Sequence, residues 1–332
     1  MAKFSEALWL SIVILVVAMA ARAQRSDELI ELDPAVNNIV PVDVHVEKLA
    51  DHVGFPSEGP VWVRNGGYLL FSNIPANVID KWTPEGRISG YLKPSGFTGT
   101  DASGLHLIGS NGITLDREGR VVFCASGDRA IVRIEKNGHH TVLADRYDGK
   151  RLNSPNDLVY KSDGALYFTD PSSGLLGRDK SPLKELPFDG VFLLKDGKLQ
   201  VIDKSFTLPN GIAVSPNAKT LYIADTRKMA IMRFDIQPDD TIANGHLFMY
   251  MGPDKGVGHP DGMKVDKIGN VYSTGPGGLW IVSPDGKHLG TIKTSFLLTN
   301  LAFGDADGKT LFMTTRTGEL LKVRLKVDGA RP

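Results

Sequence analysis

Six segments of the chain repeat one short pattern, and that repetition limits the fold more than any other feature. They read EGPVWVRNGGYLLFSN from Glu58, NGITLDREGRVVFCAS from Asn111, NDLVYKSDGALYFTD from Asn156, NGIAVSPNAKTLYIADT from Asn210, DGMKVDKIGNVYSTG from Asp261 and NLAFGDADGKTLFMTT from Asn300. Successive starts are 53, 45, 54, 51 and 39 residues apart. Each unit sets a polar residue before an apolar strand of about four or five residues, then a turn with Gly or Asn, then a second apolar strand. Third strands follow in AIVRIE at 130–135, MAIMRFDI at 229–236 and GLWIVS at 278–283, and fourth strands in HTVLA at 140–144 and KLQVID at 198–203. Four strands in roughly 40–55 residues make one propeller blade. A sheet of this kind cannot cover both of its faces alone, so the units must stack into a ring. The expected fold is therefore all-β, a six-bladed propeller with four-stranded blades. A two-sheet sandwich, the rival architecture, gives no reason for six matching units.

The last unit also predicts how the ring closes. ELLKVRLKV at 319–327 leaves it one strand short, while VDVHVEKL at 42–49 alternates like an edge strand ahead of the first unit. Pairing the two completes the sixth blade and removes exposed edges. Residues 41–330 then form one catalytic propeller domain, with 24–40 as a loosely held, flexible leader.

Ahead of these lies MAKFSEALWLSIVILVVAMAARAQ, with Lys3 near its start, an apolar run over 8–21, and small residues at Ala21 and Ala23. This is the pattern of an export signal over 1–23, cut after Ala23. The expected location is periplasmic or secreted. An uncleaved anchor is the alternative, although a run of 14 residues falls short of the roughly 20 that span a bilayer as a helix. Without 1–23 the chain carries 36 basic and 37 acidic residues, a net charge of −1. No basic run or basic–aromatic interleaving supports nucleic-acid binding. Cys124 is the lone cysteine, has no disulfide partner, and sits in the apolar run RVVFCAS as a buried structural thiol.

The innermost strands of a propeller meet at its axis. Glu58, Asn111, Asn156, Asn210, Asp261 and Asn300 therefore become neighbours at one end of the channel. Turn and cap duty alone could explain any single member, since Asn-Gly and Asp-Gly are turn dipeptides. A Pro before Asn156, Asn210 and Asp261 and the matched position in six units favour a ring of oxygen ligands. Asn300 is expected to serve only local hydrogen bonds. Two carboxylates and several amides suit a hard divalent ion, Ca²⁺ best, with Mg²⁺, Mn²⁺ or, less well, Zn²⁺ as alternatives.

In SEGPVW at 57–62, NGITLDREGRVV at 111–122, NSPNDLVYKSDGALYFTDP at 153–171, LPNGIAVSP at 208–216 with LYIADT at 221–226, and PDGMKVDKIGNVY at 260–272, the chain resembles the gluconolactonase family. That family includes senescence marker protein and the luciferin-regenerating enzyme, and calcium-dependent phosphotriesterases are more distantly similar. The resemblance implies a six-bladed propeller with one divalent ion held by Glu58, Asn156, Asn210 and Asp261. It places Asn111 near the substrate and makes Asp261 the general base, or in the phosphotriesterase branch the nucleophile. At FCASGDRAIVR the chain departs from CEHGNRRV of many bacterial relatives, with Ala125 and Ser126 in place of the glutamate and histidine. The resemblance thus reaches further for fold and metal than for substrate.

His259, two positions before Asp261, would overlook the site and steady substrate or shuttle a proton near neutral pH; a surface position is the plainer reading. Asp170 and Asp225 either support the ligand asparagines or cap local turns, and Arg129 and Arg227 are expected in solvent. The connector at 171–190 is long, and its Leu175, Leu176, Leu186 and Phe188 would either wall the mouth or pack on the adjacent blade. The expected activity is metal-dependent hydrolysis of a small cyclic ester such as a sugar lactone. The alternatives are phosphotriester hydrolysis and a ligand-binding propeller with structural calcium. A small-molecule substrate, a monomer or weak oligomer, and no obligate protein partner complete the expectation.

Overall fold

A computed structural model describes residues 28–330; the expected export signal over 1–23 lies outside the described residues. Among the described residues six antiparallel sheets of four or five strands form the blades, beside a two-stranded ribbon of Arg146–Tyr147 and Lys150–Arg151. Blade 1 runs outward through Ser57–Val63, Tyr68–Asn73, Val78–Trp82 and Ile88–Leu92, and blade 2 through Ile113–Leu115, Val121–Ala125, Ala130–Ile134 and His140–Ala144. Leu158–Tyr160, Leu166–Asp170, Gly190–Lys195 and Lys198–Asp203 make blade 3; Pro209–Val214, Thr220–Asp225, Ala230–Ile236 and Ile242–Tyr250 make blade 4. In blade 5 the order is Met263–Val265, Val271–Gly275, Gly278–Val282 and His288–Lys293. Each innermost strand touches the innermost strands on either side, and the circle closes from Leu298–Gly304 of blade 6 onto Ser57–Val63 of blade 1.

Strand alternation explains why the sheets stack. In the second strand of blade 1, Leu69 and Phe71 face blade 6 while Leu70 faces blade 2. In blade 3, Phe168 packs toward blade 2 and Tyr167 toward blade 4. Every blade is thus apolar on both faces, and six separate hydrophobic seams fill the six interfaces. Each fully buried Leu or Phe in such a seam contributes about 1.5–3 kcal/mol relative to exposure. Cys124 lies wholly inside the seam between blades 2 and 3, where burial pushes its thiol well above the ordinary range.

The last blade closes as its missing strand requires. Val46–Ala50 pairs antiparallel with Leu320–Arg324, matching Val46 to Val323 and Lys48 to Leu321. The seam beside it stacks Trp62 of blade 1 on Phe312 of blade 6, with ring centroids 5.3 Å apart and planes 8° from parallel. From Glu28 onward, however, the expected loose leader is packed. Leu29–Glu31 adds a fifth strand to the outer edge of blade 5, pairing with His288–Lys293. A short 3-10 helix, Pro34–Asn38, then starts at Asp33, whose side chain accepts from the Ala35 amide at 2.8 Å. Val36, Ile39 and Val40 are buried against blades 5 and 6, and that apolar burial fixes the segment. Among the described residues no helix is long and apolar enough to cross a membrane.

Candidate metal centre

Two devices bring the six repeat positions to one end of the channel. The first is a backbone link between neighbouring hub strands. Gly112 N donates to Asn156 O at 2.7 Å, Gly211 N to Asp261 O at 3.0 Å, and Gly262 N to Thr299 O at 2.8 Å. Glycine follows the polar residue in four units because the next blade's backbone lies against it. At Gly59, where φ is +51°, a Cβ would overlap the carbonyl of Asn111. The second device is a hydroxyl that reaches from one blade to the carbonyl at or just before the next repeat position. Ser72 donates to Asn111 O at 2.7 Å, Ser126 to Pro155 O at 2.5 Å, Thr169 to Asn210 O at 2.8 Å, Thr226 to Pro260 O at 2.7 Å, and Thr299 to Ser57 O at 2.7 Å. Ser126, at one of the two positions that depart from the bacterial pattern, thus has a structural partner of its own.

All six repeat residues are buried, and their side chains divide into held and free oxygens. Glu58 Oε2 accepts from Gly59 N at 2.9 Å and from Asn300 Nδ2 at 3.1 Å, and Oε1 has no partner among the described residues. Asn210 Nδ2 is tied to Thr226 Oγ1 at 3.0 Å, while its Oδ1 is buried and unpartnered among the described residues. Asp261 has Oδ2 at 3.5 Å from His259 Nε2, and its Oδ1 is likewise buried and unpartnered. Asn111 Oδ1 is a third orphan of this kind. The Asn156 side chain enters no hydrogen bond among the described residues; its backbone is fixed by Gly112 N and by donation to Thr169 O at 2.9 Å.

Burying an acceptor without a donor costs about 1–3 kcal/mol, so three orphaned oxygens at the repeat positions of blades 2, 4 and 5 ask for a positive partner. Glu58 shows the same need, because burial first and the nearby Asp261 charge second raise its carboxyl well above the ordinary range. Among the described residues no three His, Cys, Asp or Glu side chains gather as a metal-ligating group. The donor set is instead mixed, two carboxylates with amide oxygens, which is the chemistry of a hard cation and not of a zinc cage. Glu58, Asn156, Asn210 and Asp261 fit such an ion.

His259 is partly exposed and lies against Asp261. The hydrogen bond to that carboxylate raises its pKa, while burial and Arg316 oppose the rise. Asp170 and Asp225 hold the loops that lead into the asparagines. Asp170 Oδ2 accepts from Asn153 N at 2.7 Å, and Asp225 takes the Thr207 amide and hydroxyl, each at 2.8 Å. Burial pushes Asp170 up to about 8.

Two sequence expectations change here, and one alternative left open is decided. Asn300 does more than satisfy its own strand: its amide spans the channel from Glu58 in blade 1 to Asp157 Oδ2 in blade 3, at 3.3 Å. Arg129 is not solvated, for its side chain is buried and donates to Leu152 O at 2.6 Å and Asn153 O at 3.1 Å; Arg227, by contrast, is half-exposed beside Asp179. In the connector, Leu175, Leu186 and Phe188 pack inward, Leu186 and Phe188 in the seam between blades 2 and 3, while Leu176 and Leu183 stay exposed. The connector interlocks with the segment before blade 2, His106 N donating to Gly174 O at 2.8 Å and Leu176 N to Gly104 O at 2.9 Å. Sequence reasoning missed Asp157, a buried third carboxylate, and Lys264, whose charge opposes the rise that burial causes in Asp157. A signal existed for Asp157. Four repeat positions are followed by Gly, and Asp157 stands where the third unit breaks that rule.

A closed six-bladed propeller with a buried carboxylate–amide cluster at its hub is the class this structure defines. Residues 56–317 match the family described as SMP-30/Gluconolactonase/LRE-like region, and the chain belongs to that family. A gluconolactonase of Zymomonas mobilis is 38% identical over 315 residues, covering 91% of this chain and 87% of its own. The solved structure of a gluconolactonase from Xanthomonas campestris superposes with a TM-score of 0.77 at 31% identity, over 90% of this chain and 95% of that one. A calcium-binding regucalcin from Agrobacterium tumefaciens shares the fold, with a TM-score of 0.69 at 17% identity over 87% of this chain and 98% of that one.

Proposed function

We propose that the chain is a divalent-metal-dependent hydrolase of a small cyclic ester, most simply a sugar lactone, exported by its N-terminal segment. One observation carries this reading: the Oδ1 atoms of Asn210 and Asp261, buried and unpartnered among the described residues, at the matched repeat positions of adjoining hub strands, with the Asp261 charge felt by Glu58. The family membership supports the reaction class. Calcium is the ion that best suits two carboxylates and amide oxygens.

An ion held by Glu58, Asn156, Asn210 and Asp261 would polarise the ester carbonyl and offset the charge that develops on its oxygen. Glu58 contributes Oε1, since Oε2 is already engaged by Gly59 and Asn300. Asp261 accepts the proton of the attacking water. His259, within reach of Asp261 Oδ2 and open on its other side, relays that proton toward solvent. Asn111 lends its free Oδ1 to a substrate hydroxyl. Hydrogen-bonded loops, and not free side chains, keep these groups in register, which is what proximity catalysis requires.

The test is turnover of aldonolactones, aromatic lactones and organophosphates by EDTA-treated protein as Ca²⁺ is restored. The expected result is lactone hydrolysis that disappears with chelator and returns with calcium, together with an Asp261→Asn variant that keeps its fold and loses at least about 10²-fold in kcat. A fully active D261N protein sinks the assignment of Asp261. Calcium-dependent stability without turnover of any substrate would replace the enzyme by a binding protein.

A further inference from the structure

Three carboxylates gather at the hub: Glu58 and Asp157 share the Asn300 amide at 3.1 and 3.3 Å, and the Asp261 charge adds to the rise that burial causes in both. Lys264, on the blade 5 strand that Asp261 precedes, brings an ammonium to that group. Its Nζ donates to Met263 O at 3.0 Å and lies 3.4 Å from Asn300 Oδ1. The same Asn300 oxygen accepts from Leu301 N at 2.8 Å. Two donors on Oδ1 fix which way the amide faces, so Nδ2 must point at Glu58 Oε2 and Asp157 Oδ2. No ion pair holds Lys264 elsewhere among the described residues, and its stem is half-buried.

We infer that Lys264 is a tethered counter-ion of the centre: a resident positive charge that keeps the carboxylates together when the metal is absent and, through Asn300, turns Glu58 so that Oε1 is left for the metal. This rests on the metal reading above. Lys264 acts through Asn300 and is a positioning residue, not a catalytic one.

The consequence is a difference between the metal-free and metal-loaded states. Without Lys264 the like charges repel, and that repulsion is relieved when calcium binds; ligand linkage then makes calcium more stabilising. The experiment is thermal melting of native protein, Lys264→Met, Lys264→Gln and Lys264→Arg, each with EDTA and with excess Ca²⁺. The gap between the two melts is expected to widen in K264M and K264Q by at least about 3 °C, chiefly through a lower EDTA melt, and to stay near the native value in K264R. Folding of K264M only in calcium is the extreme form of the same result. Should K264M fail to fold in either condition, K264Q, which keeps a donor without the charge, carries the comparison. A role in packing alone lowers both melts in parallel, and an unchanged gap in K264M and K264Q overturns the inference. A native protein with no calcium-dependent gap refutes the metal reading itself and takes this inference with it.

Discussion

Replacing Gly112 by alanine probes the hub without touching any proposed ligand side chain. A Cβ there would sit 2.7 Å from Asp157 Oδ1 and 2.8 Å from both Asn156 O and the Asp157 Cα. Ordinary contact begins at about 3.4 Å, so the blade 3 strand must retreat by about 0.6 Å, and two of the three obstacles are backbone that no rotamer change can clear. Overpacking of this kind costs about 1–3 kcal/mol, offset by about 0.4–1 kcal/mol from the stiffer unfolded chain. The retreat also stretches the 2.7 Å bond from Gly112 N to Asn156 O. A net loss of about 1–2 kcal/mol lowers Tm by about 2–4 °C in a domain of this size. Function should suffer more than stability, because Asn156 is carried by the strand that moves. A displacement near half an ångström is expected to reduce kcat/KM by about 10-fold or more and to weaken calcium binding. Calorimetric calcium titration and lactone turnover provide the assay. Gly90→Ala is the control: its Cβ would lie 3.8 Å from Val78 on an exposed outer strand, and the change should be neutral or slightly stabilising. If G112A matches native protein in melting, calcium affinity and turnover, the close packing of neighbouring hub strands does not govern the centre.

Two further outcomes follow from the geometry. Phe312→Ala removes the partner of Trp62 in the closing seam and should cost about 3–5 kcal/mol, read from urea midpoints; a loss below about 1 kcal/mol would mean that the seam collapses around the gap. Asp170 titrates near 8 in the folded protein against an ordinary 3.8. Between those values the native state holds a proton that the unfolded chain has released, so this group's contribution to stability falls as pH rises from about 4 to 8. In EDTA, the stability of native protein relative to Asp170→Asn should therefore decline between pH 5 and pH 8, and a constant difference would contradict the assigned shift.

The architecture was open to sequence reading because a repeat states its own periodicity. Units at Glu58, Asn111 and onward share a start, and a final unit one strand short announces its closure. The same logic picked out Glu58, Asn111, Asn156, Asn210, Asp261 and Asn300, since matched positions on hub strands must converge, and only the family resemblance narrowed them to the four proposed ligands. What escaped were features set by non-repeated neighbours. Leu29–Glu31 is too short to show an alternation, and its partner lies about 260 residues away in blade 5. Arg129 looks like a turn residue until the carbonyls of Leu152 and Asn153 are seen to receive it. The span of Asn300 depends on Asp157 standing on the opposite blade, a relation visible only once the ring is closed. Residues 1–23 keep the reading of an export signal as a proposal.

The strand at Leu29–Glu31 decides where anything joined ahead of Glu28 must hang. It lies outside the fourth strand of blade 5, on the circumference of the disc and away from the axle. A tag, a tether or a solid support attached through that end would hold the wheel by its rim, leaving its face clear for solutes to come and go.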